Sequence, residues 1–160
     1  MRKVFAALAT LLMLAVVLQF FLAGSGAFDT APKDEAFQPH RALGYGILLF
    51  AVLLTVIAAL ARIPGRLIGM AGLVAGLTLL EPVIRAIAGA LDDPGDSSSA
   101  AGELVFGLHA VNGLIIVAVV GRILRQARQL SSSPAPARRS GEREGAVESG
   151  SAAGPPDPAS

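Results

Sequence analysis

Four stretches of this chain are apolar for long enough to cross a bilayer, and that feature limits the fold more than any other. A spanning helix needs about 20 mostly apolar residues, because each backbone N–H and C=O in hydrocarbon must be hydrogen-bonded within its own segment. Residues 4–28 interrupt their apolar run only with Thr10, Gln19 and Ser25, and residues 42–61 carry no charge. A third stretch, residues 67–91, is broken by Glu81, Pro82 and Arg85, and a fourth begins near Leu104 and carries His109 and Asn112. The composition agrees: 53% of the residues are hydrophobic and 16% charged, against about 45–50% and about 25% in soluble domains. The expected fold is all-α, an integral membrane four-helix bundle of up-down-up-down topology occupying residues 1–130, with helices near 4–28, 40–62, 66–91 and 103–129.

Orientation follows from the excess of Lys and Arg on cytoplasmic loops. With the N-terminus inside, the inner face carries Arg2, Lys3, Arg62, Arg66, Arg122, Arg125 and Arg128, and the outer loops only Lys33 and Arg41. Both termini are therefore expected in the cytoplasm of a bacterial cell, the protein lying in its plasma membrane. The first stretch has a rival reading as a signal peptide, with Ser25-Gly26-Ala27 as a small-residue cleavage site. Its apolar run exceeds the usual 7–15 residues of such a leader, so an uncleaved helix is expected. From residue 131 the chain turns to Ser, Pro, Gly, Glu and Arg, a composition that cannot bury enough apolar surface to offset chain entropy. It reads as a disordered cytoplasmic tail.

The absence of cysteine excludes disulfides and thiolate metal sites, and a net charge of +1 offers nucleic acid no basic footprint. No phosphate-binding glycine loop, HExxH or nucleophile elbow is present, so no autonomous enzymatic activity is expected. The informative residues are the polar ones inside the spans, which by default face the bundle interior and mark function. His40 stands at the outer start of the second span; His109 lies six residues after Glu103, about 9 Å below the outer start of the fourth. Each has a glycine four residues on, Gly44 and Gly113, on the same helix face. The repeated HxxxG gives the two halves of the bundle the look of a weak tandem duplication.

In an up-down-up-down bundle the second and fourth spans lie diagonally across the core with their N-termini on the same side. Two imidazoles there can flank one haem b, with the glycines leaving flat gaps, Arg41, Arg85 and Lys33 near the propionates, and Gln19 beside a ligand. The levels match only if the fourth helix continues past Val120 through Arg122, Arg125 and Arg128, whose long side chains can snorkel to the interface; the longer helix is expected. The same residues admit other readings: histidines and Asn112 that hydrogen-bond across helices, glycines that permit close packing, as Gly69, Gly72 and Gly76 would in the third span, or a metal ion, quinone or proton path. Glu81 and Arg85 are one turn apart and are expected to neutralise each other, and Pro82 to kink the third helix. Expected partners are the lipid bilayer and a redox or other membrane protein.

Gln19-Phe20-Phe21-Leu22-Ala23-Gly24, His40-Arg41 with Gly44, and His109 through Gly113 together resemble an actinobacterial family of small four-helix membrane proteins, domain of unknown function 6220. That resemblance implies a membrane location and no particular activity. His40-Arg41 and His109 are also similar to one half of the haem A synthase bundle, in which histidines on the second and fourth helices flank a haem near the outer face. The glutamate that family places three residues before its first histidine is replaced here by Phe37, so the resemblance implies binding rather than haem A synthesis.

Overall fold

The computed structural model describes residues 1–91 and 99–132. Four long helices account for most of them: α1 (Arg2–Phe28), α3 (Gln38–Leu60), α4 (Gly65–Ala90) and α5 (Ala100–Ser132), with a one-turn helix, α2 (Lys33–Ala36), between the first two. Each long helix meets the length and hydropathy of a membrane span, and the chain is built as a multi-pass membrane protein. The segment from residue 133 onward, expected to be disordered, and Asp92, Asp93 and Asp96 lie outside the described residues.

The helices form a closed ring. α1 packs on α3 and α5, α4 packs on the same two, and among the described residues the backbones of the diagonal pairs stay apart. One spacing governs all four inner faces. The buried positions include Phe5, Ala9, Leu12 and Val16 in α1; Ile47, Ala51, Leu54 and Ala58 in α3; Leu67, Ala71, Val74 and Thr78 in α4; Ile116, Val120, Ile123 and Ala127 in α5. Steps of four, three and four residues keep a stripe facing its neighbours as left-handed helices wind about one another. Alanines at these positions let the backbones approach, which is what holds helices together where lipid is as apolar as leucine. The opposite faces expose Leu11, Leu14, Phe21, Leu49, Val52, Leu79 and Ile115, the inverse of a soluble surface and the composition that hydrocarbon requires.

Gly69 and Gly76 do not serve helix packing. A Cβ added at either would meet nothing within 4 Å, and only Gly72 faces a neighbour, Thr55 of α3. The α4 stripe runs through 67, 71, 74 and 78, which turns 69 and 76 outward. The α3–α4 connection closes by a Schellman arrangement, Ile63 N–H donating to Ala58 O at 3.0 Å and Arg62 N–H to Ala59 O at 3.1 Å. It holds Arg62 at φ 51°, a conformation that glycine adopts without cost.

Packing is uneven along the bundle axis. Phe5, Leu12, Leu54, Leu67, Val74, Val120 and Ile123 are the large side chains most fully buried, and all sit in the half nearer the α3–α4 connection. The half nearer α2 is hollow.

Candidate functional site

Continuing the four stripes toward α2 with the same spacing predicts the contents of the hollow half. The next inward positions are Gln19 and Ala23 on α1, Gly44 and His40 on α3, Glu81 and Arg85 on α4, and Gly113 and His109 on α5. All eight line one cavity of about 730 Å³. The paired HxxxG is therefore the bundle stripe itself, its apolar residues replaced over two turns by histidine and glycine. The stripe positions of α3 and α5 correspond at a constant separation of 69 residues, and those of α1 and α4 at 62. Gln19 is thus the internal equivalent of Glu81, and His40 of His109.

The equivalent residues pair with each other in both halves, but through different atoms. Gln19 Nε2 donates to His40 O at 2.9 Å and lies 3.3 Å from His40 Nε2, while His40 Nδ1 lies 3.1 Å from Gln19 O. In a neutral ring that carbonyl can only accept, so Nδ1 carries the proton and Nε2 the lone pair. Across the cavity, His109 Nδ1 lies 2.5 Å from Glu81 Oε2, and neither atom has another partner among the described residues. Glu81 Oε1 accepts from Asn112 Nδ2 at 2.9 Å, and Asn112 Nδ2 also donates to Leu77 O at 2.8 Å. Gln19 Oε1 is buried and has no partner among the described residues.

Each glycine is a notch for a neighbour. A Cβ on Gly44 would come within 3.2 Å of Gln19 Nε2, and one on Gly113 within 3.3 Å of Phe20 and 3.9 Å of Glu81 Oε1. A side chain of α1 or α4 thus lies beside each glycine, and both glycines also line the cavity. The imidazole rings face one another with centroids 6.1 Å apart and planes at 54°. Phe37 meets His40 edge-on at 6.0 Å, and Phe106 stacks on His109 at 5.4 Å with planes 4° apart. Phe37 and Phe106 stand three residues before their histidines, so the repeated unit is FxxHxxxG. Sequence reasoning reached only HxxxG; aligning the two histidines and reading backward would have found the phenylalanines.

Glu81 and Arg85 do not neutralise each other. Glu81 turns across to α5, and Arg85, one turn nearer the end of the helix, pairs with Asp34 of α2 at 3.6 Å. Asp34 also takes Arg41 at 3.6 Å through its carboxylate, and its backbone oxygen accepts from the same guanidinium. Arg41, Arg85, Lys33 and Asp34 all border the cavity, at its α2 end. Pro82 lies inside α4, which runs unbroken from Gly65 to Ala90. It cannot donate to Thr78 O, and the adjacent Leu77 carbonyl accepts from Asn112. Among the described residues, no three His, Asp or Glu side chains group as a metal chelate.

Residues 19–87 match a family of unknown function, DUF6220. No curated protein and no solved structure matches the chain. The family match spans Gln19, His40, Gly44, Glu81 and Arg85, and stops before His109.

Proposed function

We propose that this DUF6220-matching protein binds one b-type haem in the cavity near α2, where His40 and His109 would hold the iron. The observation that carries the reading is a pair of imidazoles whose centroids are 6.1 Å apart on a cavity of about 730 Å³. Histidine nitrogens bind metals at about 2 Å, so rings this close could both reach one iron. Pockets for cofactors usually run to about 300–1,000 Å³. Each Nδ1 is engaged by a carbonyl or a carboxylate, the support that ligating histidines generally have. Arg41, Arg85 and Lys33 border the cavity where two carboxylates of a ligand would find cations.

A haem held by the two histidines would supply a one-electron couple, which suits electron transfer or haem handling. The arginine and lysine distribution supports a plasma-membrane orientation with α2 outside and both termini in the cytoplasm. A redox protein at the outer surface is the corresponding partner. Titrating haemin into the detergent-purified full chain tests the binding reading. It predicts a Soret band that saturates at one haem per chain; a chain that stays colourless overturns it.

One observation favours a second reading. Gln19 Nε2 already lies 3.3 Å from His40 Nε2, and both glycine notches are filled from within the bundle. A cofactor-free membrane scaffold or accessory subunit would use those contacts to fix helix register, and replacing either histidine would then impair assembly alone.

A further inference from the structure

The two halves of the site are chemically unequal at two neighbouring pairs of equivalent positions. Gln19 on α1 is neutral, whereas its counterpart Glu81 on α4 carries a carboxylate, and Asn112 stands on α5 where the first half has Leu43. Asn112 has a specific task there. Its amide nitrogen bridges Leu77 O and Glu81 Oε1, so one carboxylate oxygen is fixed and the other is aimed at His109 Nδ1, 2.5 Å away. Phe106 stacks flat on the imidazole and restricts its rotation. Among the described residues nothing is in hydrogen-bond contact with His109 Nε2, and the residue lines the cavity.

We infer that Glu81, anchored by Asn112, is the positioning residue for His109, holding its proton on Nδ1 so that Nε2 presents a lone pair to the cavity. A carboxylate on Nδ1–H would also make the distal nitrogen a stronger electron-pair donor to a bound metal. His40, held by a neutral carbonyl, lacks that push. In a bound haem the pair would favour the ferric state through the α5 side; this consequence rests on the proposed haem reading, whereas the positioning of His109 does not.

The test uses the full chain labelled with ¹⁵N histidine. The sequence contains two histidines, so two rings appear in the spectrum, and the His40→Ala variant assigns them. The wild type is expected to show His109 protonated on Nδ1 and bare on Nε2. In Glu81→Gln, and in Asn112→Ala should the first variant not fold, the Nε2–H form that free histidine prefers becomes the majority. With haem bound, Glu81→Gln lowers the ferric-to-ferrous affinity ratio about tenfold, which equals an upward shift of about 59 mV for a one-electron couple.

A wild-type His109 protonated on Nε2 or on both nitrogens overturns the inference, as does a tautomer unmoved in both variants. If the tautomer moves but no variant binds haem, the positioning role stands and the haem reading falls. If haem binds while tautomer and potential stay fixed, the haem reading stands and the role of Glu81 falls.

Discussion

Gly44 and Gly26 show how much a single Cβ matters in a bundle this closely packed. At Gly44 an added methyl meets the amide end of Gln19 at 3.2 Å, a flexible group able to withdraw by a few tenths of an ångström; at Gly26 it meets Ala36 O at 2.8 Å, a backbone atom of α2 that has little room to move. Gly26→Ala should therefore destabilise the protein by about 1–3 kcal/mol, within the usual cost of overpacking, and Gly44→Ala by less. Thermal unfolding of both variants in detergent measures the order, and equal losses would contradict it. The residues themselves were legible: His40, His109, Gln19 and both glycines stand out as polar or small positions inside apolar runs. Their partners were not. Spacing of four residues allows Glu81 to meet Arg85, and only the packing of α4 against α5 decides that it meets His109 instead.

At the scale of elements, the four spans could be read from hydropathy because hydrocarbon demands about 20 apolar residues in each. Their inner faces could not. A helix in lipid is apolar on all sides, so amphipathic periodicity, which marks the buried face of a soluble helix, carries little signal. The stripe of four-three-four spacing emerges once the helices are packed, and it is what turns Gly69 and Gly76 outward against expectation. The turn between α3 and α4 supplies a prediction at this scale. Arg62 holds φ 51° at the position where glycine is most favoured, so Arg62→Gly should raise stability by about 0.5–1 kcal/mol. Unfolding of the variant in denaturing detergent checks it, and a loss of stability would mean that the arginine side chain contributes more than its backbone strain costs.

For the whole molecule, the unevenness along the axis is the central fact: one half is packed with Phe5, Leu12, Leu54, Val74 and Ile123, and the other holds a mostly apolar cavity into which Gln19, His40, Glu81 and His109 bring polar groups. The packed half provides the apolar contact that keeps the ring closed while the hollow half holds buried polar groups that would otherwise be costly in lipid. The chain has no cysteine, so single-cysteine variants report topology cleanly. With the proposed orientation, Thr30→Cys near α2 should react with an impermeant thiol reagent in intact cells, and Arg128→Cys near the other end of the bundle only after lysis. The reverse pattern would invert the assignment of the α2 end to the outside.

Haem binding of this kind requires His40 and His109 to act on one bound group. Reduced-minus-oxidised visible spectra of the haem-loaded full chain, recorded beside His40→Ala and His109→Ala, test it most directly. Shared ligation would give sharp haem bands in the wild type and their loss in each single variant, because either substitution would remove one of the two imidazoles. Sharp bands that survive in either variant would contradict it, since the two imidazoles 6.1 Å apart would then not share an iron.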